Sequence, residues 1–345
     1  MGDVLEFSNT RINSSELNSG NYVSTENILQ NFQGIVKARS IPEDTNVMAF
    51  SCGNILLSNI RPYLKKVWKA TFNGGCSSDV FVLQANSNID ADYLHYVVAN
   101  DKFIGFVMNG AKGVKMPRGD KNQMKTYSLS LPSIKEQRKI SRFLSFLDER
   151  IAVQSRLIDR LQSLMKGIRH RIINEAKGKI VCLCEVSDIY QPQTISSADL
   201  TETGYPVYGA NGIIGHYTSY NHEAEQVCIT CRGNTCGGVN YTKSKSWITG
   251  NAMVVNVDRY QNIVSKRYLY HYLSNCDFNS IISGSGQPQI VRAPLAKFKI
   301  ILPTVMQQYK IAHCLDVIQN KINVNSNILN LLIRQKQYLL RKMFI

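Results

Sequence analysis

The sequence predicts an α+β protein: two α/β domains separated by two long helices that form an antiparallel coiled coil, a pseudo-two-fold repeat of domain and helix. Three observations predict it. Leu131-Pro132-Ser133-Ile134-Lys135-Glu136-Gln137 recurs as Leu302-Pro303-Thr304-Val305-Met306-Gln307-Gln308, 171 positions later (302 − 131). Both copies run without a gap into apolar residues at alternating steps of four and three, the heptad seam of helices that wrap round one another. The basic excess also concentrates there. Residues 131–178 carry 11 basic against 5 acidic side chains and residues 302–345 carry 6 against 1, whereas the remaining segments are nearly balanced.

The implied divisions are a first domain over 1–132, a first helix over 133–178, a second domain over 179–303 and a second helix over 304–345. In the first domain, residues 53–63 read as a strand that runs into a loop ended by Pro62. Residues 79–83 read as a buried strand and residues 90–98 as an acid-started amphipathic helix. A glycine- and lysine-rich loop follows, Gly110-Ala111-Lys112-Gly113-Val114-Lys115-Met116-Pro117-Arg118. Ser133 can cap the first long helix, with Glu136 completing a capping box. Its seam reads Ile140, Leu144, Leu147, Ile151, Gln154, Ile158, Leu161, Met165. The second domain repeats the plan loosely, with strands at 226–233 and 251–255, a helix at 266–273 and a loop at 284–290. Thr304 and Gln307 form the second capping box. The second seam reads Ile311, Leu315, Ile318, Ile322, Asn325, Leu329, Leu332, with Lys336 at the position of Met165. Gln154 and Asn325 share one offset, and a seam amide fixes register and pairing.

Composition bounds the function. The 345 residues suffice for two or three cored domains. Met1-Gly2-Asp3-Val4-Leu5-Glu6 has neither the basic start nor the apolar core of a cleavable signal. No apolar run approaches a membrane span, so the expectation is a cytoplasmic protein with no membrane association. Nine scattered cysteines suit a reducing compartment. Cys228 and Cys231 form a C-x-x-C. They sit on a strand, where residues three apart face opposite ways, so small buried thiols are expected and no metal. The net charge of +15 suggests a polyanion partner, most often nucleic acid, with a solvated basic helix face as the alternative.

Motifs of catalysis are scarce. Gly105 to Gly110 has P-loop glycine spacing, but Ala111 follows instead of lysine. Glu175-Ala176-Lys177 has a nuclease-like form at a helix end and reads as linker. His95, His271 and His313 lie beside apolar residues and read as core or surface histidines. No catalytic residue and no cofactor is expected. Donor-rich loops remain. In the first domain these are Arg61, Tyr63, Lys65, Lys66 and Lys69, with Lys112, Lys115 and Arg118. In the second they are Tyr208, Asn211, Arg232, Asn234, Thr235, Lys243, Lys245, Gln287, Gln289 and Arg292. Such side chains read base edges and hold phosphates; ordinary loop solvation is the alternative for any one of them.

These features together resemble the specificity (S) subunit of a type I restriction–modification system, over essentially the whole chain. The resemblance rests on the Leu-Pro-x-x-x-x-Gln entries, the helix repeat, Ile60-Arg61-Pro62-Tyr63-Leu64, Gly204-Tyr205-Pro206-Val207-Tyr208-Gly209-Ala210-Asn211-Gly212 and Gly284-Ser285-Gly286-Gln287-Pro288. The first domain departs at two places. It has no counterpart of Lys179-Ile180-Val181-Cys182-Leu183-Cys184, which touches its edge strand, and Gly110 to Lys115 stands in place of the Gly-Ser-Gly-Gln-Pro loop. The resemblance implies two target-recognition domains, each reading half of a split, asymmetric site on double-stranded DNA, with the helices as spacer. Half-sites on one face of a duplex lie ~10 bp apart. It also implies recruitment of two methyltransferase (M) subunits and, through the complex, restriction (R) subunits. A methyltransferase or nuclease of unfamiliar pattern, and a coiled-coil adaptor that does not read DNA, stay open.

Overall fold

The computed structural model describes residues 1–210, 212–284 and 286–344. In chain order the first domain contains β1 (Leu5–Phe7), β2 (Arg11–Asn13), β3 (Tyr22–Val23), β4 (Asn46–Phe50), β5 (Ile55–Ser58), β6 (Val67–Lys69), β7 (Gly74–Cys76) and β8 (Val80–Ala85). The helices α1 (Ala91–Val98), α2 (Asp101–Asn109) and α3 (Lys121–Lys125) follow, then the long α4 (Ile134–Glu175). The second domain contains β9 (Lys179–Cys182), α5 (Leu183–Val186), β10 (Asp188–Tyr190), β11 (Tyr205–Gly209), β12 (Gly212–Tyr217), β13 (Val227–Thr230), β14 (Val239–Tyr241), β15 (Trp247–Ile248) and β16 (Ala252–Asn256). After these come α6 (Lys266–Leu273), β17 (Ile282–Ser283), β18 (Gln289–Ile290), α7 (Arg292–Ala296), β19 (Lys299–Leu302) and the long α8 (Val305–Met343). The chain divides into two compact units. One joins Met1–Ser155 to the chain's end from Asn327; the other is Arg156–Ser326.

Each unit is built on the same four-stranded antiparallel sheet, β1-β8-β5-β6 in the first and β10-β16-β13-β14 in the second. Alternation along the strands sends successive side chains to opposite faces. In the first unit Ile55, Leu57, Phe81 and Leu83 face a core completed by Tyr93 and Leu94 of α1. Leu56, Val80 and Val82 face the other way, onto Phe50 and Cys76 of a second sheet, β2-β4-β7-β3. In the second unit Val227, Ile229, Met253 and Val255 face Tyr268 and Leu269 of α6. Cys228, Ala252 and Val254 face Tyr208 and Ile248 of the sheet β12-β11-β15. Cys228 and Cys231 thus lie on opposite faces, as alternation requires, and burial pushes the Cys228 thiol up to about 12.

The long helices are antiparallel. In the first unit the beginning of α4 and the end of α8 enter one core, through Leu144, Leu147, Leu340 and Phe344. In the second, Ile173 near the end of α4 and Ala312 near the start of α8 enter the other. Every predicted seam residue, from Ile140 to Leu161 and from Ile311 to Leu332, is buried or half-buried. Leu144 and Leu315 are fully buried. Lys336 is half-buried and pairs with Asp148 across the two helices. That partner explains how a lysine is held at a seam position.

Of the two expected capping boxes, one closes and one does not. The box closes at Thr304, whose N–H donates to Gln307 Oε1 at 3.3 Å while Gln307 N–H donates to Thr304 Oγ1 at 3.4 Å. At Ser133 the Glu136 N–H reaches the hydroxyl at 3.3 Å, but the Glu136 carboxylate accepts from Lys139 Nζ at 2.8 Å. The glutamine of the repeated motif is buried in both copies and does the same thing twice. Gln137 Oε1 accepts from Asp90 N–H (2.8 Å), while its Nε2 donates to the Pro132 carbonyl (3.0 Å) and the Asn88 carbonyl (3.5 Å). Gln308 Oε1 accepts from Ser265 N–H (2.7 Å), while its Nε2 donates to the carbonyls of Pro303 (2.9 Å) and Ile263 (3.0 Å). Asp90 and Ser265 are the N-caps of α1 and α6. A buried amide whose oxygen and both N–H groups are engaged therefore ties each domain helix to the long helix that follows it.

Beyond this, β9 and β19 of the second domain form a separate antiparallel pair. The first domain has no such pair among its described residues; there Gly2 N–H donates to the Lys125 carbonyl.

Candidate nucleic-acid interface

In each domain the loop that leaves the second-innermost strand is joined to a glycine-turned loop ahead of the long helix. After β5, Arg61 takes a left-handed conformation (φ 51°) and its N–H donates to the Pro117 carbonyl at 2.8 Å. Gly119 N–H donates to the Asn59 carbonyl at 3.1 Å, and Lys112 and Arg118 exchange backbone bonds of 3.0 and 2.9 Å across the turn at Gly113 (φ 93°). After β13, the left-handed residue is Gly233 (φ 86°), whose N–H donates to the Pro288 carbonyl at 3.0 Å. Ile290 N–H donates to the Cys231 carbonyl at 3.0 Å, and Ser283 faces Gln289 across the turn at Gly284 (φ 92°). The two frames match bond for bond. Pro117 corresponds to Pro288, Gly113 to Gly284 and Arg118 to Gln289. In the strands the spacing is one residue greater: Leu57 faces Phe81 where Ile229 faces Met253, so Arg61 corresponds to Gly233 and Ile60 to Arg232.

The predicted donors divide by what already holds them. Lys65 pairs with Asp101 (2.7 Å) and lines a cleft of about 800 Å3 beside Asp148 and Lys336, facing the long helices. Lys66 donates to the Thr25 carbonyl at 2.6 Å and Lys69 pairs with Asp92. Lys112 pairs with Asp120 at 3.0 Å and holds that carboxyl below the usual range. Arg118 Nη1 pairs with Asp79 at 3.2 Å, and Lys245 lies 3.9 Å from Glu223. Arg61, Lys115, Arg232, Lys243 and Arg292 are exposed and carry no ion pair among the described residues. Tyr63, Asn234, Thr235, Gln287 and Gln289 are exposed as well. Tyr208 is not a surface side chain: it is buried, and its hydroxyl accepts from Lys243 N–H at 3.1 Å, so it positions the turn that displays Lys243. Asn211 lies outside the described residues.

The structure brings Arg61, Lys112 and Arg118 together in one domain. In the other it brings Arg232, Gln289 and Arg292 together around a hollow of about 180 Å3 that also includes Gln191 and Cys231. Such clusters offer several donors and few acceptors, which suits phosphate oxygens and the acceptor-rich edges of bases. Sequence reasoning missed Asp79, Asp101 and Asp92, whose pairing with the cations is non-local. Among the described residues no group of His, Cys, Asp or Glu could hold a metal ion. No helix there is long and apolar enough to cross a membrane.

A family model described as the type I restriction modification DNA specificity domain matches residues 1–163 and again 176–334. A type I restriction enzyme EcoprrI specificity subunit from Escherichia coli is 31% identical over 148 residues, 41% of this chain and 36% of that protein. A putative type I restriction enzyme specificity subunit from Haemophilus influenzae is 30% identical over 142 residues, 39% of this chain and 36% of that protein. These matches thus span little more than a third of the relatives' own length. Among solved structures, the crystal structure of a type I restriction–modification S subunit from M. genitalium superposes with a TM-score of 0.70 at 16% identity, covering 100% of this chain and 94% of that one. A chain from a study of complex assembly and conformational transition of the type I system gives 0.59 at 19%, covering 99% and 95%. At these identities the likeness speaks for the fold.

Proposed function

Since the chain belongs to the type I restriction–modification DNA specificity family, we propose that it reads a bipartite, asymmetric site on double-stranded DNA and directs methyltransferase and restriction subunits to it. The observation that carries the reading is the duplicated loop frame. Two domains of different sequence hold the same pair of loops with the same backbone bonds, yet display different exposed polar side chains. A common frame with a variable display is what reading two unlike half-sites requires. The chain performs no chemistry itself in this reading and works in the cytoplasm.

Recruitment of two methyltransferase subunits is supported by the outer faces of the long helices. Phe146, Val153 and Leu157 on α4 are exposed, and so are Val317, Val324 and Ile328 on α8, at the same offsets of the repeat. An apolar stripe outside the seam and presented twice suits two copies of one partner. Restriction subunits join through that complex.

The test is co-expression with methyltransferase subunits, followed by sequencing of methylated bases in the host DNA. A split, asymmetric motif is expected, and exchanging residues 179–301 for those of another member should change one half alone. A stable complex that leaves no new methylated motif would count against DNA reading and favour an adaptor.

A further inference from the structure

The matched frames single out one position in each domain. Arg118 and Gln289 occupy the same place: each faces its partner across a glycine turn, and each precedes the residue whose N–H bonds back to the strand-end carbonyl. Beneath them lies a second matched pair. Asn59 N–H donates to the Asp79 carbonyl at 2.8 Å, and Cys231 N–H donates to the Asn251 carbonyl at 2.9 Å, so Asp79 corresponds to Asn251. The first domain therefore holds an Arg–Asp pair, 3.2 Å apart, where the second has two amides. The backbone is the same and only the side-chain chemistry has changed.

That change has a definite meaning at a base edge. With Nη1 on Asp79, the guanidinium keeps Nε and Nη2 as a rigid two-donor edge. It matches the O6 and N7 acceptors of guanine and nothing on adenine as well. A carboxamide offers one donor and one acceptor, the complement of adenine N6 and N7. Arg118 is about half exposed and Gln289 is exposed, with no side-chain partner for Gln289 among the described residues. We propose that this shared position is a specificity-determining one, with Arg118 selecting a guanine in one half-site and Gln289 selecting an adenine in the other. The inference rests on the DNA-reading function proposed above and names its chemistry.

The test transplants each pair. The double variant Asp79→Asn with Arg118→Gln places the second domain's chemistry in the first; Asn251→Asp with Gln289→Arg does the reverse. Each full chain is purified with methyltransferase subunits, and bound duplexes are selected from a randomised pool. The first variant should exchange guanine for adenine at one position of one half-site, with the other half unchanged and the preference shifted by about 10- to 100-fold. The reciprocal variant should do the opposite in the other half. Arg118→Lys should keep binding and blur the base preference, because a lysine lacks the forked geometry. An unchanged motif bound more weakly by every sequence would overturn the proposal and make the position a backbone contact. Changes in both halves would also overturn it. A wild-type complex that selects no motif at all would instead sink the DNA-reading function itself.

Discussion

Replacing Gln308 with leucine should cost far more stability than any surface change in the same helix. The side chain is completely buried. Its amide serves three backbone groups: Ser265 N–H at 2.7 Å and the carbonyls of Pro303 and Ile263 at 2.9 and 3.0 Å. Leucine fills most of the volume and serves none of them. A buried polar group left without a partner costs about 1–3 kcal/mol. Ile263 is partly exposed, so water can replace the amide at its carbonyl and reduce the total. The expected loss is therefore about 3 kcal/mol. It should appear as a lower urea midpoint for the second unit and as faster hydrogen exchange in a peptide covering residues 263–273. Gln137→Leu should act in the same direction on residues 88–98, somewhat more weakly, because its third bond is 3.5 Å long. A loss below ~1 kcal/mol with unchanged exchange at residues 263–273 would refute the idea that this amide joins domain to helix.

Three further outcomes follow from the same geometry. His271 is fully buried, and burial outweighs the Asp316 carboxylate 2.7 Å away, lowering its pKa to about 4. An unfolded histidine titrates near 6.5, so the unfolded chain binds the extra proton between those values. Stability should fall as pH drops from about 6.5 to 4, by an amount on the order of 1–3 kcal/mol that His271→Gln removes from the difference between the two pH values; an identical acid profile for that variant would rule the histidine out. Lys115→Ala, which touches no carboxylate, should weaken binding to all duplexes alike and reduce the salt slope by about one ion, checked by titration at several salt concentrations. Val324→Glu on the outer face of α8 should leave the melting temperature of the isolated chain unchanged and reduce co-purification of methyltransferase subunits; full recovery of the complex would count against that stripe.

The helices were legible because their signal is local and duplicated. Leu144 and Leu315 hold matching seam positions and are both fully buried, as a four-three repeat predicts. The acid-started stretch 90–98 holds α1, with Asp90 as its N-cap, and residues 266–273 form α6 as expected. The loop sites were only partly legible. Lys65 and Lys69 read as free donors because nothing in the neighbouring sequence reveals Asp101 and Asp92, which reach them only after the sheet and helices have formed. Tyr208 read as a surface aromatic because its burial depends on a second sheet of two- to six-residue strands that carry little periodic signal. Arg118 and Gln289 share the 171-position offset of the helix repeat (289 − 118). The pairing of Arg118 with Asp79 and the bonds that join this loop to the strand end are non-local, and only the folded chain discloses them.

The joint made by Gln137 and Gln308 has one more property. Each amide bonds only to main-chain groups, and the residues that supply them differ: Asn88 and Asp90 in one domain, Ile263 and Ser265 in the other. This joint therefore does not depend on the side chains of the docked domain, although packing and pairs such as His271 with Asp316 add side-chain contacts around it. Exposed loop residues of a domain can vary without touching this joint, provided the turn ahead of its helix keeps its path. Such a fitting is a standard coupling: within each unit it asks the same main-chain path of a domain whose sequence differs from the other's.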